Sequence, residues 1–116
     1  MAANIGQKTR DYCEKQGWEI AKVEHWNSFA HKMFDMFGCI DYIALDSNTG
    51  VLGIQATTNT NAAARVQKCK ENIPPLWYVG GNRLEVWSWA LRGPAGKRKV
   101  WTLKRIPILL ADIQTS

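Results

Sequence analysis

Gly38-Cys-Ile-Asp-Tyr-Ile-Ala-Leu45 is followed, after Asp46-Ser-Asn-Thr-Gly50, by Val51-Leu-Gly-Ile-Gln-Ala-Thr57. Two apolar, β-prone runs joined by turn-forming residues read as a hairpin. The first run carries Asp41 among apolar neighbours, where an unpaired carboxylate costs several kcal/mol. Gln55 occupies the matching place on the second run, and across the turn the two side chains are expected on one face. Asp41 has a bland reading, a carboxylate at a sheet edge satisfied by backbone donors or an arginine. It also has a functional one, a metal ligand or acid–base group in a cleft.

Outward from the hairpin, Asn4 to Gln16 is predicted as a helix stopped by Gly17. The stretch Trp18-Glu-Ile-Ala-Lys-Val-Glu-His-Trp26 reads as an irregular strand, and 27–34 as a connecting loop or a partly ordered turn. Asn59 or Asn61 is placed to cap a second helix, AAARVQKCKEN. Strands are expected at 73–79, after a double proline, at 83–89, where the alternation is clean, and at 100–106. The order α-β-β-β-α-β-β-β implies an α/β (α+β) fold with a mixed central sheet.

At 116 residues, 46% of them hydrophobic, the chain suits one domain with a packed core, spanning 1–116. No apolar run approaches the roughly 20 residues needed to cross a bilayer. The opening MAANIGQKTR lacks the apolar segment of a secretory signal, so no membrane and a cytoplasmic location are expected. Cys13, Cys39 and Cys69 are too widely spaced for a disulfide framework or, with His25 and His31, for a zinc site. Reduced, mostly buried cysteines are the expectation.

The net charge of +5 leans toward an acidic partner such as nucleic acid. Candidate phosphate contacts are Arg65 and Lys68 on the second helix, and Lys97, Arg98 and Lys99 in a late Gly/Pro/Lys-rich loop. Among six tryptophans, Trp87 and Trp89 share one face of a strand, with Trp77 and Trp101 on neighbours. They form either a bulky core or a platform for unpaired bases.

The run from Asp35 through Asp41 to Leu45, then Gly53-Ile-Gln55-Ala-Thr57-Thr, resembles the core of the PD-(D/E)XK nuclease superfamily. It looks closest to small phage-borne and Holliday-junction-resolvase-like members. The resemblance implies an αβββαβ restriction-endonuclease-like core with extra C-terminal strands, and Mg²⁺ (or Mn²⁺)-dependent cleavage of DNA. It also implies a homodimer and phage or prophage origin. Asp41 takes the place of the metal-binding aspartate and Gln55 that of the first residue of a Q-x-K tripeptide. Thr57 stands where lysine is expected. Either another cation substitutes, Arg65 or Lys68, or the chain binds without cutting. A further carboxylate is required; Glu24 is favoured over Glu14, and Asp35 is either that ligand or a turn former.

Overall fold

The computed structural model describes residues 4–47 and 50–113. Helix α1 (Ile5–Lys15) starts where the Asn4 side chain accepts the Gln7 amide hydrogen at 2.9 Å. It ends before Gly17, whose φ of +79° few other residues adopt readily. Among the described residues seven strands follow: β1 (Glu19–Lys22), β2 (His25–Asn27), β3 (Lys32–Phe34), β4 (Tyr42–Asp46), β5 (Gly50–Thr58), β6 (Arg83–Arg92) and β7 (Val100–Pro107). Helix α2 (Ala62–Asn72) lies between β5 and β6, and two 3₁₀ turns cover Pro75–Tyr78 and Leu110–Asp112.

Five strands form the main sheet in the order β1-β4-β5-β6-β7. All neighbours are antiparallel except β5 and β6, which run parallel because α2 carries the chain back between them. The elements α1, β1, β4, β5, α2 and β6 thus give the expected αβββαβ order, extended by β7. The tip of the β4–β5 hairpin, expected at Asp46 to Gly50, includes 48 and 49, which lie outside the described residues.

Each face of the sheet has its own core. Cys13 of α1 packs with Tyr42, Leu52, Ile54 and Trp87 on one face; Cys69 of α2 packs with Ile40, Leu84 and Val86 on the other. The period of two assigns them: Ile54 and Ala56 face α1, whereas Gly53 and Gln55 face α2. A Cβ on Gly53 would sit 2.9 Å from Ile40 Cδ1 and 3.1 Å from the Trp77 ring. Only glycine lets both side chains lie directly on the β5 backbone. The three free cysteines are buried, as expected.

Several local expectations are corrected. The 18–26 stretch is two strands with different partners: β1 joins β4, while β2 pairs with β3 in a separate hairpin. Residues 27–34, expected as a loop or a partly ordered turn, contain the turn of that hairpin and all of β3. Strand β4 begins only at Tyr42, because Phe37 and Gly38 adopt positive φ in a turn closed by the Met36–Ile40 bridge. The stretch 73–79 is a 3₁₀ turn and not a strand; Pro74 and Pro75 have no amide hydrogen for a ladder. Trp77 consequently sits on that turn. Trp87 is 0% exposed and Trp89 7%, so neither can stack on a base. Their shared face is packed under α1, where the Trp89 indole donates to Thr9 Oγ1.

The same face buries Glu85, which accepts from Arg105 Nε at 2.7 Å and from the Trp87 indole at 2.8 Å. The Arg105 guanidinium also lies over the Trp18 and Trp87 rings. Glu85→Ala would leave that guanidinium without its carboxylate. The expected loss is about 3 kcal/mol, the low end for a broken buried pair because Arg105 keeps partial solvent access. Urea denaturation of the variant measures it.

Candidate active site

Asp41 stands at the junction of three strands. Its amide donates to Ile54 O at 2.9 Å, and its carbonyl accepts from Val23 and Glu24, at 2.8 and 3.2 Å. The β4–β5 register pairs Tyr42 with Ile54, so its continuation sets Asp41 opposite Gln55. Both side chains then point to the α2 face, the arrangement expected from the hairpin alone. Asp41 Oδ2 accepts from the Ala56 amide at 3.1 Å.

Two further carboxylates meet Asp41 there. Glu24 follows β1 and Asp35 follows β3, and one oxygen from each of the three lies within 4.8 Å of the others. Such a cluster could hold a metal ion, and all-oxygen donors suit a hard divalent cation. Helix α2 supplies the counter-charge. Lys68 Nζ lies 2.6 Å from Asp35 Oδ2 and 3.4 Å from Gln55 Oε1. Arg65, one turn earlier, lines the same open cleft of about 400 Å³.

Burial pushes Asp41 up to about 8, helped by the hydrogen bond and negative charge of Asp35 and by Glu24; the Ala56 amide opposes this. Burial acts on Asp35 in the same sense, but hydrogen bonds from Asp41 and Lys68 hold it below its ordinary value. The pair therefore shares one proton near neutrality, carried by Asp41 and directed at Asp35. A cation held by the cluster would have to displace that proton, so its affinity would rise with pH.

The cleft gathers Asp41, Gln55, Glu24, Asp35, Arg65 and Lys68. Thr57 is buried beside Ser88 on β6 and is not among the cleft-lining residues. Glu14, near the end of α1, is likewise outside the acidic cluster. Lys97, Arg98 and Lys99 are exposed in the β6–β7 turn. Gln55 is level with Val86, and Arg92 lies six positions further along β6, roughly 20 Å along the strand. The three basic residues therefore form a surface of their own. Sequence reasoning missed Met33, which also lines the cleft, because the β2–β3 hairpin was not recognised.

No protein-family model, curated protein or solved structure matches this chain. Among the described residues, no helix is long and apolar enough to cross a membrane.

Proposed function

We propose that this chain is a Mg²⁺- or Mn²⁺-dependent DNA endonuclease, resolvase-like and related to the PD-(D/E)XK nucleases. The observation that carries the reading is the meeting of Glu24, Asp35, Asp41, Gln55 and Lys68 in one cleft. Glu24, Asp35 and Asp41 would hold the cation, with the Gln55 carbonyl oxygen as a neutral fourth donor. Bound there, the ion would supply Lewis-acid polarisation of a phosphodiester and acidify water.

The chain's own groups account for the rest of the chemistry. Ala56 N–H fixes one Asp41 oxygen, so the carboxylate presents the other to the cleft. Lys68 brings the positive charge that Thr57 cannot, adjacent to where charge builds on a phosphate. An inactive DNA-binding relative is the competing reading. Its main support was the missing lysine at position 57, and Lys68 weakens it.

The test is a nicking assay on linear, single-stranded and branched DNA. Cleavage is expected with Mg²⁺ or Mn²⁺ and should vanish on chelation. DNA bound but never cut, under either metal, would leave the binding-only reading.

Affinity should also fall steeply with salt, because cations released from the DNA backbone drive association. Arg65→Ala is expected to lower the slope of log K against log salt by about 0.9, the value for one lost duplex phosphate contact. Replacing Lys97, Arg98 and Lys99 together tests the distal patch in the same titration. A slope unmoved by either set would remove these residues from the DNA interface. Paired nicks on a branched substrate would require two copies; sedimentation with and without DNA tests for that homodimer.

A further inference from the structure

The β2–β3 hairpin is rooted in the acidic cluster at both ends. Its register pairs His25 with Phe34 and Trp26 with Met33, so one step outward along the root is Glu24 opposite Asp35. A period of two then puts Glu24, Asp35, Trp26 and Met33 on one face of the arm. The meeting of the Glu24 and Asp35 oxygens, and the presence of Met33 in the cleft wall, agree with that placement. Trp26 is 56% exposed and Met33 40%, and at the tip Phe29 is 96% exposed. Residues 25–34 contain His25, His31 and Lys32 and no acidic residue.

We infer that this arm is a base-stacking arm, which selects DNA having unpaired nucleotides next to the reacting phosphate. The inference rests on the nuclease reading of the cleft and names its substrate class. Trp26 stands two residues from Glu24, about 7 Å along the strand. Backbone phosphates in one strand are spaced by about 3.4 Å along a duplex axis, so Trp26 stands one or two nucleotides from a phosphate held at the cluster. A base at that position can stack on the indole only if it is free of its own neighbour in a duplex. The thioether of Met33 beside the indole broadens the apolar platform, and the absence of acidic residues on the arm suits a polyanion.

Binding is measured with Ca²⁺ replacing Mg²⁺, to an oligo-dT strand, a fork and a fully paired duplex. Wild type should prefer the strand and the fork. Trp26→Ala should weaken both by roughly five- to a hundredfold, the range for one lost base–aromatic stack, with little change on the duplex. Trp26→Phe should retain most of the preference, which a purely structural role would not require. Met33→Ala offers a second, milder variant of the same platform. Equal affinity for all three DNA forms, or a Trp26→Ala loss shared by all of them, overturns the inference. So does a Trp26→Ala variant that changes self-association and leaves DNA affinity intact, since the arm would then be a protein interface. Trp26-dependent strand preference without cleavage would sink the nuclease reading alone. Duplex cleavage indifferent to Trp26 would sink the arm alone.

Discussion

Asp41→Asn should abolish metal-dependent cleavage and, at the same time, make the metal-free protein more stable near pH 8. The first effect follows from the loss of a negative ligand among three, at the one with the most fixed position. DNA binding should be nearly unchanged, because on the proposed function affinity would come mainly from phosphate contacts elsewhere, and removing a carboxylate beside a phosphate can even tighten it. The second effect follows from the proton on Asp41. Its folded-state pKa of about 8 lies above the ordinary 3.8 that the unfolded chain has. Between those values the folded protein keeps a proton that the unfolded chain releases. Asp41 therefore costs stability increasingly as pH rises from about 4 to about 8. Linkage puts the full cost on the order of 5 kcal/mol. Asparagine mimics the protonated acid: its NH₂ can donate to Asp35 while its oxygen accepts from the Ala56 amide. The variant's Tm should consequently exceed that of wild type at pH 8 in chelator, and the gap should close toward pH 4. Millimolar Mg²⁺ should raise the Tm of wild type and not of the variant. A variant no more stable than wild type at pH 8 would mean that Asp41 carries no buried proton.

Gln55→Ala should cost less activity than loss of Asp41, because a neutral amide oxygen contributes less to a hard cation than a carboxylate does. The same nicking assay ranks the two. Equal losses would indicate that Gln55 acts on Lys68, 3.4 Å away, as much as on the ion.

The pair Asp41 and Gln55 was legible in the sequence because both facts needed are local. A charge inside an apolar run is visible as such, and a hairpin turn fixes which residues face each other. The alternation over Arg83–Trp89 was legible for the same reason. Short pieces were not: β2 and β3 have three residues each, too few to show a period, and β-prone 18–26 hides a change of partner at Val23. Without that hairpin, neither the closeness of Glu24 to Asp35 nor the placement of Trp26 beside them on one face is visible. The contact of Lys68 with Asp35 spans 33 residues and depends on which side of α2 meets the sheet. Sequence narrowed the substitute cation to Arg65 or Lys68; the packing of α2 brings Lys68 onto Asp35 and Gln55 and leaves Arg65 on the cleft wall.

Lys68→Met keeps the aliphatic stem and removes the ammonium, so it isolates the charge. Cleavage should fall by about 10²–10³, the usual cost of one electrostatic group that acts mainly in the transition state. KM should move little and kcat should carry the loss. Lys68→Arg should recover only part of it, since a planar guanidinium cannot donate to Asp35 and Gln55 from the same point. Thr57→Lys distinguishes position from charge. In the wild-type background a lysine there must bury a second ammonium near Lys68 and Arg65, so it should destabilise the protein and leave activity no higher. Combining it with Gln55→Glu, which would restore the commoner tripeptide, supplies a partner for the new charge and should recover some of that stability. In the Lys68→Met background the same Thr57→Lys change should restore part of the lost rate, because one cation again faces the carboxylates from the α2 side of β5. The two substitutions would then be strongly non-additive, the mark of two residues serving one role. Undiminished cleavage in Lys68→Met would show that the ammonium only neutralises Asp35, and would leave Arg65 as the cation facing the phosphate.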